Sequence, residues 1–234
     1  MDTIFYCPDI RTNPQMPAIE SQHCVRVLRM KEHDTLLITD GKGFFYRAQL
    51  LQANPKSCIV TILEEIPQHK SWNFDLHLAF APTKNVDRIE WFVEKATEVG
   101  IDTFTPLKCR YSERKNLNSA RLEKKIVSAM KQSQKSRLPQ LNEMMEFDDF
   151  IQLPFNGQKF IAHCYDSVKT PLTQISKNNT NTLILIGPEG DFSEEEVAKA
   201  ARHDFAPISL GESRLRTETA ALIACHTIQV LNQL

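Results

Sequence analysis

An aliphatic run that stops at a glycine-rich loop constrains the fold more than any other stretch. In "LILIGPEGDFSEEEV", residues 183–186 have the unbroken apolar character of a strand buried on both faces, which is typical of the middle of a parallel sheet. Gly187 and Gly190 permit backbone angles that other residues avoid. Ser193 and Glu196 have the spacing of a capping box, which begins a helix. The stretch therefore predicts a strand, a shaped loop and a helix.

The rest of the chain divides into two regions with different sequence patterns. Up to about residue 70, "DTLLITDG", "GFFYRAQLLQA" and "SCIVTILEEI" predict strands of a small β-barrel or meander. After "IPQHKSW", strands alternate with helices: "NVDRIEWFVEKATEVG" has helical spacing, and "QKFIAHCY", "TLILIG" and "APISLG" predict strands. Repeated β-then-α units predict an α/β domain with a parallel sheet. We therefore predict two domains, residues 1–70 and 71–234.

The loop at 187–191 lies where open α/β sheets bind ligands, at the carboxyl end of a strand. It lacks the Lys-Ser/Thr pair of a Walker loop and the glycine spacing of a dinucleotide fingerprint. Glu189 and Asp191 would also repel a phosphate, so a neutral or positively charged ligand is expected, and an ordinary structural turn is the alternative. A second strand, predicted at residues 208–210, runs into Gly211 and then into a helix predicted to be capped by Thr217. The two loops together are expected to hold one ligand.

Charge and cysteine usage limit the partners. The net charge is −1, yet residues 108–137 carry ten Lys and Arg against Glu113 and Glu123. This excess suits a polyanion, although a solvated helix face would look the same. The six cysteines stand far apart without metal-ligand spacing, so reduced thiols and no metal are expected. The sequence shows neither a signal peptide nor a membrane-spanning run, which predicts a cytoplasmic protein with no membrane partner.

Two C-terminal motifs carry a family resemblance. "IGPEGDFSEEE", followed about twenty residues later by "LGESRLRTETAA", resembles the signature of the SPOUT methyltransferases. Within them it resembles the bacterial family that methylates N3 of uracil 1498 in 16S ribosomal RNA. Supporting matches are the segments "QHCVRVLRM", "KATEVG", "SER" and "KQSQKSRLP". The chain departs from the usual family residues at His33, Lys131, Lys135, Asp191, Ser213 and Arg214.

The resemblance implies a fold, a cofactor and partners. It implies a PUA-like β-barrel that binds RNA over residues 1–70 and a SPOUT α/β domain over 71–234, with a C-terminal trefoil knot. The implied cofactor is S-adenosyl-L-methionine, whose sulfonium cation suits a loop with nearby acids. The implied partners are 16S rRNA in the small ribosomal subunit and a second copy of the chain, with the site at the homodimer interface.

The implied site residues form three groups. Chemistry at uracil N3 needs a donor to the base oxygens and an acceptor for the proton, and Arg216 and Glu218 are the catalytic candidates. The alternative explanation, that Glu218 only favours the start of the helix, is the stronger one for this residue. The cofactor-binding candidates are Ile186, Gly187, Glu189, Gly190, Leu210, Gly211, Leu215 and Thr219. The RNA-binding candidates, each of which could also be a solvated surface charge, are His23, Arg29, Lys84, Arg88, Arg110, Arg114, Lys135 and Arg137.

Two other functions stay open on the sequence. One is a non-catalytic RNA-binding protein, against which the intact "LRTETA" run counts. The other is a SPOUT methyltransferase that acts on another RNA, such as transfer RNA, or on a ribose 2′-oxygen. The barrel that precedes the α/β domain and the "GPEG" loop favour the uridine-base family.

Overall fold

A computed structural model describes residues 3–233. The chain forms two compact units. The first combines residues 1–71 with 127–138, and the second combines residues 72–126 with 139–234. Among the described residues, no helix is long and apolar enough to cross a membrane.

The first unit is built on a four-stranded sheet in the order β1-β2-β3-β4, with β1 parallel to β2 and the other pairs antiparallel. Its elements are β1 (Ile4–Tyr6), α1 (Ala18–Gln22), a π-helical turn (His23–Val27), β2 (Thr35–Thr39), β3 (Phe44–Gln52) and β4 (Ile59–Pro67). The three predicted strands are present as β2, β3 and β4. Alternate residues of β3, Tyr46, Ala48 and Leu50, are fully buried, as expected for a sheet with one core face. Over residues 3–233 this sheet is open, and no closed barrel is formed.

The segment 127–138 belongs to the first unit through specific bonds. Lys131 Nζ contacts both carboxylate oxygens of the buried Glu20, at 2.6 and 2.9 Å. The carbonyl of Ser136 accepts from the backbone N–H of Gly43 at 2.9 Å and from the hydroxyl of Thr39 at 3.3 Å. Lys131, which departs from the usual family residue, is therefore matched by an acidic partner within the same unit.

The second unit has an α/β fold, which confirms the predicted class. Its strands are β5 (Leu76–Phe80), β6 (Thr103–Lys108), β7 (Gln140–Leu141), β8 (Met145–Glu146), β9 (Gln158–Ala162), β10 (Thr170–Pro171), β11 (Thr182–Ile186) and β12 (Ala206–Ser209). The sheet order is β10-β12-β9-β11-β5-β6-β7, β8 also pairs with β6, and every pairing between these strands is parallel. All five residues of β11 are buried, as its aliphatic run predicts.

Helices lie between these strands, and the last one follows the final strand. They are α2 (Val86–Val99), α3 (Ser119–Gln132), α4 (Phe147–Phe150), α5 (Leu172–Ile175), α6 (Glu194–Arg202) and α7 (Thr217–Leu231). The Asn85 side chain caps α2 by accepting from the Asp87 N–H, and Gly100, with a φ of 124°, ends the helix as predicted. The capping box of Ser193 and Glu196 at the start of α6 is confirmed.

The predicted cap of α7 is wrong. The N-cap residue is Arg216, which makes no side-chain capping bond, and Thr217 is the first helical residue. The Thr217 hydroxyl instead donates to the carbonyl of Gly187 at 3.0 Å. A tertiary partner thus takes the hydroxyl that the local pattern assigns to capping. Strand β12 ends at Ser209, so Leu210 lies in the loop that follows and not in the strand.

Candidate active site

Three loops meet at one edge of the sheet of the second unit. Strands β12, β9 and β11 are neighbours and run parallel, so the segments after their carboxyl ends lie side by side. These segments enclose a cavity of about 780 Å³. Its wall includes seven of the eight cofactor-binding candidates, namely Ile186, Gly187, Glu189, Gly190, Leu210, Gly211 and Leu215. The eighth candidate, Thr219, lines a neighbouring hollow.

Hydrogen bonds tie the three loops together. Thr217 donates to the Gly187 carbonyl and so joins the segment after β12 to the loop after β11. Asp191 Oδ2 accepts from the backbone N–H of Cys164 at 2.7 Å, which joins the loop after β11 to the loop after β9. The Tyr165 hydroxyl donates to the carbonyl of Phe192 at 2.7 Å across the same pair of loops. A cavity with walls tied in this way is largely formed before a ligand binds, which lowers the free-energy cost of binding.

Two glycines are needed here for different reasons. Gly211 has a φ of 121°, and a Cβ at this position would have no heavy atom within 4 Å. Backbone conformation therefore requires the glycine at 211, because L side chains rarely adopt this angle. At Gly187, a Cβ would lie 3.1 Å from both the ring and the backbone nitrogen of Phe192, so close packing favours glycine there. A Cβ at Gly190 would meet the side chain of Tyr111 at 3.1 Å.

The cavity carries both signs of charge. Glu189, Asp191 and Glu212 line it together with Arg88, Lys169, Arg214 and Arg216. Some of these groups are held by the protein: Glu189 Oε1 accepts from the Lys84 N–H, and Lys169 Nζ donates to the carbonyls of His163 and Tyr165. Such a lining suits a ligand with cationic and anionic groups better than a polyphosphate.

His163 is a cavity residue that the sequence reasoning missed. It is buried, and its Nδ1 has no hydrogen-bond partner among the described residues. Burial lowers the pKa of His163, the nearby Lys169 lowers it further, and Asp191 opposes the shift, so the ring is neutral near pH 7. A buried ring nitrogen without a partner is a place where a ligand can supply the missing hydrogen bond. Its position directly after "QKFIA", the strand next to β11, is the signal that could have identified it.

The catalytic candidates line a second hollow, of about 620 Å³, beside the cavity. Arg216 is exposed at the start of α7, whereas Glu218 in the first turn is buried. Arg88 Nε lies 3.7 Å from Glu218 Oε1, and Glu218 Oε2 has no hydrogen-bond partner among the described residues. The hollow is lined by Asp87, Arg88, Trp91, Arg214, Leu215, Arg216, Glu218 and Thr219. Four of these, Arg88, Arg214, Leu215 and Arg216, line the larger cavity as well.

Four RNA-binding candidates lie in the second unit, and each of them faces another group of the protein. Arg114 donates from Nε to the Thr83 carbonyl at 3.0 Å and from its terminal nitrogen to the Lys84 carbonyl. Arg110 forms an ion pair with Glu195. Lys84 Nζ lies 2.9 Å from Glu113. The fourth, Arg88, is the residue that faces Glu218 in the hollow.

The other four candidates lie in the first unit. Arg29 is exposed and has a φ of 55°, unusual for a residue with a side chain. The guanidinium of the exposed Arg137 lies against Gly43, where a Cβ would meet it at 2.8 Å. His23 and Lys135 are half-buried. The ring of His23 lies 6.0 Å from that of Phe5.

The six cysteines are all free, and five of them are buried. The exposed one, Cys164, lines the larger cavity. Within residues 3–233 no group of three or more His, Cys, Asp or Glu side chains is arranged to hold a metal ion.

Comparison with protein families defines the class. The model described as "RNA methyltransferase domain" matches residues 70–229, and the model described as "RNA methyltransferase PUA domain" matches residues 20–63. The chain belongs to the RNA methyltransferase family. Relatives named ribosomal RNA small subunit methyltransferase E include one from Bacillus subtilis, 26% identical over 229 residues that cover 92% of this chain and 89% of the relative. Another, from Rickettsia conorii, is 29% identical over 210 residues that cover 88% and 84%.

Solved structures match both units. A protein from Porphyromonas gingivalis described as a probable rRNA-methyltransferase has a TM-score of 0.92 and 40% identity, covering 97% of this chain and 98% of its own. A methyltransferase from Legionella pneumophila, solved with the bound cofactor SAM, has a TM-score of 0.88 and 25% identity, covering 98% of each chain. The resemblance stated from the "GPEG" and "LRTETA" motifs is therefore confirmed.

Proposed function

We propose that this chain uses S-adenosyl-L-methionine to methylate N3 of a uridine, expected at position 1498, in 16S rRNA of the small ribosomal subunit. One arrangement carries the proposal. A cavity walled by the three strand-end loops opens beside a hollow that holds Arg216 and Glu218. The first accommodates a methyl donor, and the second offers the groups that a uracil acceptor needs.

The larger cavity fits the cofactor in size and in chemistry. Its volume of about 780 Å³ lies within the ordinary range of small-molecule sites. S-adenosylmethionine carries a sulfonium, an ammonium and a carboxylate, which the mixed charges of the wall accommodate. The unpartnered Nδ1 of His163 offers a hydrogen bond to its neutral parts. When bound, the cofactor supplies an activated methyl group.

The hollow supplies what the acceptor atom requires. Methylation at N3 breaks the N3–H bond and places that electron pair in the new N3–carbon bond, while the methyl–sulfur bond breaks. Negative charge develops on the base oxygens as the proton leaves, and the Arg216 guanidinium stabilises it. The unpartnered Oε2 of Glu218 accepts the proton. Because N3 lies on the pairing edge of uracil, the base must be unpaired or flipped out to reach this hollow.

RNA contacts in this proposal come from both units. In the second unit they are Lys84, Arg88, Arg110 and Arg114, and in the first unit His23, Arg29, Lys135 and Arg137. Neutralising phosphates with such side chains provides most of the affinity for RNA and orients it. In this proposal the first unit is a PUA-like β-barrel that binds RNA. An enzyme that modifies ribosomal RNA would work in the cytoplasm.

The chain is further proposed to form a trefoil knot at its C-terminus and to act as a homodimer. The resemblance of "LGESRLRTETAA" to the family signature supports the knot. Helix α7 supports the dimer, because Val230 is 37% exposed and Ile223, two turns before it, is half-buried. A second copy would cover this apolar stripe.

Nucleoside mass mapping tests the function. Small subunits from a strain that lacks the gene are incubated with the purified protein and methyl-labelled cofactor, and the 16S rRNA is digested and sequenced by mass. We expect one labelled N3-methyluridine, absent from the untreated RNA. A labelled ribose 2′-O-methyl nucleotide would assign a different acceptor atom. RNA binding without any labelled product, together with no cofactor binding by calorimetry, would establish a non-catalytic RNA-binding protein.

A further inference from the structure

The hollow beside the cofactor cavity contains an exposed tryptophan that the reaction, as derived so far, does not use. Trp91 lies on α2 with 43% of its surface exposed. It lines the hollow together with Arg88 of the same helix and with residues from the start of α7. A half-exposed indole in a concave site offers a large aromatic surface that a ligand can cover.

The charges around Trp91 favour RNA as that partner over a second copy of the chain. Arg88, Arg214 and Arg216 line the same hollow and outnumber its two acidic residues, Asp87 and Glu218. Charged side chains are depleted at the centre of interfaces between proteins. A cationic groove that also presents an aromatic ring is instead the arrangement on which unpaired bases stack.

The Glu218 carboxylate in the hollow favours a nucleic-acid base that can donate an N–H hydrogen bond. Glu218 is buried, and the lack of a partner for its Oε2 leaves a costly unsatisfied acceptor. The other oxygen, Oε1, faces Arg88 at 3.7 Å, a separation that suits an ion pair but is too long for a hydrogen bond. Arg88 therefore orients the carboxylate and keeps its N–H groups available for an incoming ligand.

We infer that this hollow is the acceptor-base site, in which the indole of Trp91 stacks on the flipped uracil and Arg88 acts as a positioning residue for Glu218. Arg88, Arg214, Leu215 and Arg216 also line the cofactor cavity, so a base held here lies next to the methyl donor. The inference rests on the proposed function and deepens it by assigning the groups of α2 that hold the substrate.

Photo-cross-linking tests the contact without relying on turnover. Small subunits are reconstituted with 4-thiouridine at the target position, mixed with the wild-type protein and S-adenosylhomocysteine, irradiated and digested with trypsin. We expect the cross-linked nucleotide on the peptide of residues 89–95, which contains Trp91. Cross-links that map only to other peptides would overturn the inference.

Single-turnover rates on unmethylated small subunits test the stacking role. Phenylalanine retains an aromatic face, so Trp91→Phe should stay within about threefold of wild type. Trp91→Leu keeps apolar area but loses stacking and should be about 10- to 100-fold slower. Trp72→Phe is the matched control: Trp72 packs against Gly100, donates to Asp102 and lines neither cavity, so its rate should be that of wild type.

The outcomes separate this inference from the function on which it rests. A Trp91→Leu variant as fast as wild type would refute stacking while leaving the methyltransferase intact. If Trp91→Leu is monomeric by sedimentation and recovers its rate at high protein concentration, Trp91 belongs to the subunit interface and the inference fails. A wild-type protein that methylates no uridine would instead refute the proposed function.

Discussion

The Thr217 hydroxyl donates to the carbonyl of Gly187, 30 residues earlier in the chain, at 3.0 Å. Both groups are buried, and the bond fixes the first turn of α7 against the loop that follows β11. Both segments line the larger cavity, which we propose binds the cofactor. The bond therefore links the stability of α7 to the shape of the cavity.

Replacing Thr217 by valine should lower both the unfolding free energy and the affinity for the cofactor. The Gly187 carbonyl would lose a donor in a buried place, which costs about 1 to 2 kcal/mol of unfolding free energy. Cofactor affinity should also fall, because the loop would no longer be held in its binding conformation. Thr217→Ser keeps the hydroxyl and is the control. Urea unfolding and calorimetric titration measure the two effects, and a valine variant equal to serine in both would show that the bond is dispensable.

Asp191 should be sensitive to the kind of residue that replaces it. It has a φ of 68°, its Oδ2 accepts from Cys164, and its Oδ1 accepts from the N–H of Phe192. Asp191→Ala loses both bonds and keeps the strained angle, so we expect a loss of about 2 kcal/mol of unfolding free energy and weaker cofactor binding. Asp191→Asn tolerates the angle and retains one acceptor, so it should lose least. Asp191→Gly also loses both bonds but relieves the strained angle, so chemical denaturation of the set separates the two effects. Equal stability of alanine and asparagine would contradict this account.

Acid should destabilise the second unit through His77. Burial lowers the pKa of this histidine from 6.5 to about 4, and its Nε2 lies 2.8 Å from Thr105 Oγ1. Between pH 6.5 and pH 4, His77 is therefore protonated in the unfolded chain but neutral in the folded chain. Its contribution to the unfolding free energy is fully present above about pH 6.5 and is lost as the pH falls towards 4.

The matched variant His77→Gln isolates this effect from the protonation of carboxylates. At pH 4.5 the wild type should lose about 2 to 3 kcal/mol of unfolding free energy more than the variant does, relative to pH 7. Urea denaturation of both proteins at the two pH values gives the difference. Parallel pH profiles would mean that His77 is protonated in the folded protein.

Arg29 and Arg114 should respond differently to substitution, although the sequence places both among the RNA contacts. Arg29 is exposed, and its loss should reduce the salt dependence of RNA binding by about one unit of slope without altering stability. Arg114 supports the carbonyls of Thr83 and Lys84, so Arg114→Ala should also lower the unfolding free energy of the second unit, by about 1 to 2 kcal/mol. Filter binding across a salt series and thermal unfolding separate the two. An Arg29→Ala variant with an unchanged slope would place RNA on another surface.

Local patterns predicted the features that depend on local bonds. The capping box of Ser193 and Glu196 and the end of α2 at Gly100 are fixed by residues within one helical turn, and both are as predicted. The buried strand predicted at 183–186 was equally readable, because a strand covered on both faces is mostly apolar, and β11 begins one residue earlier, at Thr182. The positions of seven cofactor candidates follow from these elements, because strand ends carry the loops.

The remaining features depend on which elements become neighbours. The role of Thr217 was wrong because its partner, Gly187, is far away in sequence. His163 and the bond from Cys164 to Asp191 were missed, because only the placement of β9 between β11 and β12 brings that strand end into the cavity. The closeness of Arg88 to Glu218 likewise requires α2 and α7 to pack together, which neither helix predicts alone.

Arg216→Lys should lose most of the rate while retaining the charge. The Arg216 side chain lines both the cofactor cavity and the acceptor hollow, where a planar guanidinium can donate two hydrogen bonds to a base oxygen and its neighbour, unlike an ammonium. Losing one well-placed donor to a developing oxyanion costs about 3 kcal/mol, a rate factor on the order of 100 to 1,000. Cofactor affinity should be little changed, because the other residues that line the cavity are the same in the variant. The measurement is single-turnover methyl transfer to small subunits with enzyme in excess, beside calorimetric cofactor binding.

The control is Arg202→Lys, because Arg202 is exposed on α6 and lines neither site; this variant should match wild type. A lysine variant at 216 within a few-fold of that control would remove Arg216 from the chemistry and leave it a residue that docks RNA.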